Sequence, residues 1–186
     1  MPMLKKQIFP LALCLVCILA FGCTRDNAIK LTYALGPTLA PCSGEAVVFK
    51  FVDKRPATRL GKNSDGAPIS SLSDVADWVG WALFDELKAA GCDVKYRTST
   101  VTPGDAALIT GEVLDVSLNQ TGTTTYAGKV TVRVMVSKGG QTVHVEKFAS
   151  EVEDVVVPGY STQSELMAEV LRTLWAEVVP TLCTKL

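Results

Sequence analysis

The spacing of apolar and polar positions changes period along the chain, and each change marks an element. Ala46–Asp53 (AVVFKFVD) is β-branched and aromatic and apolar on both phases, which predicts a central strand. Over Ser73–Ala90 the period becomes helical. Val75, Val79, Ala82, Leu83, Leu87 and Ala90 make one stripe flanked by Trp78 and Phe84. Ser73 is placed to cap this helix, Asp74 suits the positive end of its dipole, and Gly91 stops it. Cys92–Arg97 predicts a short strand, and strand–helix–strand predicts a parallel pair. Ala106–Asn119 is a long strand whose alternation slips. Ile109, Gly111 and Val113 share one phase and Leu114, Val116 and Leu118 the other, which a bulge near Val113 reconciles. Lys129–Lys138 alternates most cleanly, with Val130, Val132, Val134 and Val136 inward. Gly139-Gly140 predicts a hairpin, and Thr142–Ala149 returns with Val143 and Val145 inward. Glu151–Tyr160 leaves the sheet. Thr162–Val179 is a second helix, opened by the capping box Thr162-Gln163-Ser164-Glu165 and ended by Pro180.

The sum is β-α-β-β-β-β-α. Two amphipathic helices need one apolar sheet face. The expected fold is therefore α+β, a two-layer sandwich with a mixed, mostly antiparallel sheet and both helices on one side. The open face would carry Lys50, Glu112, Thr131, Arg133, His144 and Glu146. Two stretches lack periodicity. Residues 54–72, with Gly61, Gly66 and Pro68, read as a long polar loop. Residues 23–45, with Pro37 and Pro41, read as a tether on which Tyr33, Leu35 and Leu39 are able to dock. The folded domain is then 46–186.

The first 22 residues fit none of this. Lys5 and Lys6 precede a 14-residue apolar run, Ile8–Phe21, which is too short to span a bilayer. The segment closes on Leu19-Ala20-Phe21-Gly22-Cys23. A small residue directly before Cys is what a lipoprotein signal requires, and Cys14 and Cys17 lack one. Residues 1–22 are thus expected to be a signal peptide cut between Gly22 and Cys23. Cys23 would then carry the lipid, palmitate included, and two or more acyl chains anchor stably. An uncleaved anchor and an ordinary secretory signal are the alternatives. The whole chain, 186 residues at 48% hydrophobic and 20% charged, suits one globular domain. Of its 18 basic residues two fall in the leader, leaving 16 against 19 acidic ones, so nothing points to nucleic acid.

Of six cysteines, Cys42, Cys92 and Cys183 remain in the mature domain. Cys42 lies just before the first strand and Cys183 just after the last helix, which makes them the candidate disulfide. Three inert thiols are the alternative. With a single histidine, His144, and no C-x-x-C pair beyond Cys14 and Cys17 of the leader, no metal site is expected in the mature domain. No nucleophile elbow or phosphate-binding loop is present, so no catalytic residue and no cofactor are expected. The candidate binding residues are Asp53, Arg55 and Pro56, at the carboxyl end of the first strand where α/β sheets take ligands, together with Lys50. Read plainly, they are a strand exit, with Asp53 accepting loop amides and Arg55 pairing locally. Trp78 and Trp81 read as core-edge aromatics.

Several stretches occur in a telling order: the leader, Ala34-Leu35-Gly36-Pro37, the run Val47–Pro56 with its D-x-R-P ending, Leu60-Gly61, and the helix end Leu87–Gly91. In this the chain resembles the YajG-like lipoproteins of Gram-negative bacteria over nearly its whole mature length. Its carboxyl-terminal half matches in pattern only, and Cys42, Cys92 and Cys183 are additions. The resemblance implies an envelope lipoprotein without catalysis. The expectation is a non-enzymatic protein held by Cys23 to the periplasmic face of the outer membrane. It would bind or adapt an envelope protein or the cell wall. Thr24 sets the choice of membrane, since Asp there is the usual inner-membrane retention signal in enteric bacteria. An alternative is an auxiliary subunit of a lipid or small-molecule transporter, which predicts an apolar cavity of roughly 300 Å³ or more between helix and sheet. A third, a hydrolase, needs Asp53 to meet Asp85 or Glu86.

Overall fold

The computed structural model describes residues 27–37, 41–99 and 104–186. The leader 1–22, with Gly22 and Cys23, lies outside them, as does Leu39. Among the described residues nine strands and two helices follow in order: β1 (Asn27–Ile29), β2 (Glu45–Phe49), β3 (Val52–Asp53), β4 (Gly61–Lys62), β5 (Pro68–Ser71), α1 (Val75–Ala89), β6 (Asp93–Arg97), β7 (Ala107–Gln120), β8 (Thr125–Lys138), β9 (Gln141–Val155) and α2 (Gln163–Cys183). The large sheet runs β6-β2-β7-β8-β9, with β3 also on β7. Strands β6, β2 and β7 are parallel, while β7, β8 and β9 are antiparallel. Helix α1 covers the β6-β2-β7 part and α2 the β8-β9 part, forming a two-layer α+β sandwich. Among the described residues no helix is long and apolar enough to cross a membrane.

The layers meet through the predicted stripes. Val130, Val132, Val134 and Val136 of β8 are buried in one core with Leu171, Leu174, Trp175 and Val178 of α2 and Val79, Leu83 and Leu87 of α1. Each such side chain contributes roughly 1.5–3 kcal/mol over leaving it in water. The bulge falls between Val113 and Asp115. The predicted strand 46–53 divides into β2 and β3, because Phe51 turns into the core. Its ring takes the place of the side chain Gly111 lacks, so that even a Cβ there would collide with it. It meets Trp175 edge-on, centroids 6.5 Å apart.

Five expectations are corrected. The cap of α1 is Asp74, whose side chain accepts from the Asp77 amide at 3.0 Å. Ser73 is occupied instead with Leu31, accepting from its amide and donating to its carbonyl. Strand β9 runs on to Val155 with the opposite phase. Val143 and Val145 are 50% and 54% exposed, while His144 and Phe148 stand opposite Val136 and Val132 on the helix side. His144 and Glu146 are therefore not on the open face, nor is Lys50, whose Nζ reaches Asp74 and Asp77 at the start of α1; on the open face Arg133 meets Glu112 at 2.8 Å. Pro180 does not end α2, which continues to Cys183 because Leu182 extends its buried stripe. The loop 54–72 contains β4 and β5, with Leu60 just before β4 and Ile69 within β5 both buried.

The fifth correction concerns the tether 23–45. Its described part packs on the domain. β1 pairs in parallel with β5, giving a small sheet β1-β5-β4, and Ile29 and Leu31 are buried. Trp78 Nε1 donates to the Thr32 carbonyl at 2.9 Å. Tyr33 docks as expected, whereas Leu35 stays exposed.

Candidate functional site

At the carboxyl ends of β2 and β6 the chain opens a cleft of about 600 Å³. Phe49, Lys50, Asp53 and Arg55 line one wall, Ser73, Asp74 and the first turn of α1 the other, and Thr98 the rim. The sheet splits here: Lys50 still bonds the Arg97 carbonyl through its amide, but beyond it β3 pairs only with β7. Three of the four predicted binding residues, Lys50, Asp53 and Arg55, are brought together. Pro56 is exposed and is not among the lining residues.

The charges in the cleft are matched. Arg55 donates through Nε and Nη2 to the Asp53 carboxylate at 2.8–3.2 Å, and its own amide donates to Asp53 Oδ1 at 3.0 Å. The Arg55 side chain is only 6% exposed, and its Nη1 has no partner. The Arg55 side-chain bond holds Asp53 below the usual carboxylate range. Lys50 Nζ lies 3.1 Å from Asp77 and 3.4 Å from Asp74. Its bond to Asp77 raises Lys50, and the Asp77 amide lowers Asp74. A carboxylate kept ionised by a fixed guanidinium is a poor proton acceptor. What the cleft offers is a half-buried Phe49 over a floor that includes Phe51 and Val75, beside fixed polar groups, which is the make-up of a binding cleft.

Glu86 does not join Asp53. It lines a smaller cleft of about 280 Å³ with Gly36, Pro37 and Arg172. There it is 6% exposed and accepts from the Tyr33 hydroxyl and, at 3.2 Å, from the Gly36 amide. Burial and this carboxylate push the Tyr33 hydroxyl far above its ordinary value. Sequence reading missed this clasp, though a signal existed: Glu86 follows Ala82 by four and Leu83 by three on the apolar stripe. Trp81 stacks on Tyr96 at 4.0 Å, beside Phe84. Burial pushes the Tyr96 hydroxyl up to about 12.

At the amino ends of the same strands the three cysteines meet. Cys42 precedes β2, Cys92 precedes β6, and Cys183 ends α2; their sulfurs all lie within 4.8 Å of one another. The Cα of Cys42 is 5.5 Å from that of Cys92 and 5.3 Å from that of Cys183. The predicted Cys42–Cys183 pair is thus one of two that the fold permits. Cys92 was not part of the expected pair, because its arrival beside Cys42 depends on where α1 ends. Among the described residues these thiols are also the one His, Cys, Asp and Glu group close enough to hold a metal ion.

No protein-family model matches the chain, and no curated protein is similar to it in sequence. Among solved structures it is similar to a DUF330 protein from Xanthomonas campestris, with 10% identity and a TM-score of 0.59, over 85% of this chain and 95% of that one. A lipoprotein from Neisseria meningitidis is also similar, with 13% identity and a TM-score of 0.41, over 77% and 99%. The Xanthomonas likeness is one of fold.

Proposed function

We propose that this chain is a lipid-anchored envelope lipoprotein of the YajG-like kind that acts as a non-catalytic binding or adaptor domain. Cys23 holds it to the periplasmic face of the outer membrane, and the cleft at Lys50, Asp53 and Arg55 receives a segment of an envelope protein or the cell wall. The observation that carries the binding role is the cleft itself: about 600 Å³, part apolar, with its charges already paired. Matched charges favour a ligand that brings apolar area and hydrogen bonds over a strongly charged one. The transport-auxiliary reading has less support, because the space between helices and sheet is filled by Leu83, Leu87, Leu171 and Trp175, all fully buried.

The test is crosslinking in intact cells followed by mass spectrometry, with Cys23→Ser as control. The expected result is one reproducible envelope partner that disappears in Cys23→Ser and in Lys50→Glu, with the melting temperature of Lys50→Glu unchanged. Co-purifying lipid without a protein partner would instead favour the transport reading. A Cys23→Ser chain that stays membrane-bound and uncut would sink the anchor.

A further inference from the structure

Three cysteines from three separate stretches of chain converge where a single disulfide can use only two. Their position is set by the fold: the Cys42 amide donates to the Ala90 carbonyl at 2.8 Å and the Cys92 amide to the Leu87 carbonyl at 3.1 Å. These bonds tie the start of β2 and the start of β6 to the end of α1. Cys183 arrives from the last turn of α2, beside buried Leu182. Both Cα separations, 5.5 and 5.3 Å, fall inside the window a disulfide accepts, about 4.4–6.8 Å. Neither pairing therefore needs the backbone to move. Cys42 is the shared partner, and whichever bond forms leaves the third thiol against it.

We propose that Cys42 forms two alternative disulfides, with Cys92 and with Cys183, which interconvert by thiol–disulfide exchange within the folded domain. In one direction the Cys183 thiolate adds to Cys42 Sγ. The Cys42–Cys183 bond forms as the Cys42–Cys92 bond breaks. The electron pair leaves on Cys92 Sγ, which takes up the proton Cys183 gave. The number of disulfides is unchanged, so no oxidant or reductant is consumed. The two states differ in what they staple. Cys42–Cys92 closes a 50-residue separation inside the β2-α1-β6 unit and leaves the end of α2 unclipped. Cys42–Cys183 spans 141 residues and clips α2 to β2. Cys183 is the least buried of the three, which makes it the point where a thiol outside the protein enters the set.

The experiment uses the full chain purified in detergent without reductant. It is denatured and alkylated at mildly acidic pH, where exchange is slow, and mapped by peptide mass spectrometry. One label per domain is expected, divided between Cys92 and Cys183 and never on Cys42. Cys92→Ser and Cys183→Ser should each keep one disulfide, to Cys183 and to Cys92 respectively, with no free thiol among these positions. Cys42→Ser should leave the other two labelled. Label on only one of Cys92 and Cys183 would mean a fixed bond and overturn the proposal. So would label on all three, or three protected thiols with one bound metal ion per chain.

Discussion

The two ends of the parallel strands β6, β2 and β7 solve the same problem in opposite ways. At the carboxyl end β2 breaks, β3 drifts from β6, and the gap stays open as a cleft held by ion pairs. At the amino end the same strands and both helix ends are drawn together around three sulfurs. Ion pairs reached by water contribute little to stability, whereas a covalent staple contributes a lot. The difference teaches where the domain spends rigidity: it fixes the end without a cleft and leaves the cleft end adjustable.

The comparison breaks most sharply at Phe51, the core residue beneath the cleft. Phe51→Ala should cost about 3–5 kcal/mol, because Gly111 offers no side chain to fill the space. Urea unfolding measures this; a loss under about 1 kcal/mol would show that the break in β2 has another cause. At the opposite end, Cys42→Ser removes both staples and should cost about 2–5 kcal/mol, read as a lower denaturation midpoint without reductant. The same loss should follow when the wild type is reduced. Glu86→Ala leaves the Tyr33 hydroxyl and the Gly36 amide without their acceptor, at about 1–3 kcal/mol. Faster amide exchange over residues 30–37, with the sheet unaffected, would locate the effect in the clasp.

The smallest effect belongs to the cleft. Asp53→Asn should cost about 1 kcal/mol or less, since solvent reaches the carboxylate and screens the pair. Its sign with pH is fixed. Arg55 lowers Asp53 in the folded state, so the pair's stabilisation is complete above the ordinary carboxylate value of about 3.9 and is lost as pH falls through the lower folded value. The gap between wild type and Asp53→Asn should therefore close as the solution is acidified from about pH 5 toward pH 2. A gap that widened would mean Asp53 is not held ionised by Arg55.

What was legible in the sequence was whatever short-range chemistry decides. The hairpin at Gly139-Gly140, the capping box at Thr162 and the bulge after Val113 are each specified by a few neighbouring residues. Strands β1, β4 and β5 have at most four residues and form through pairing with one another and packing on β7, so no periodicity could announce them. The phase of β9 misled because Val143 and Val145 are apolar yet face away from the helices on an edge strand, where Phe148 fixes the register. Of the site, Asp53 and Arg55 were legible as a strand exit, and Lys50 as a candidate binding residue expected on the open face. Cys42 and Cys183 were legible as a candidate pair from their places beside the first strand and the last helix, whereas the Glu86 clasp and the arrival of Cys92 were not, since each joins residues at least 50 positions apart.

The docked stretch from Asn27 to Pro37 also sets a length of leash. A tether over residues 23–45 would let the domain range roughly 75 Å from its lipid. With β1 stitched to β5, Asn27 is only four positions past Cys23, and four residues span at most about 14 Å. With the lipid on Cys23, as proposed above, a domain on so short a leash would lie against the bilayer surface. A partner entering its cleft would then have to come to the membrane to do so.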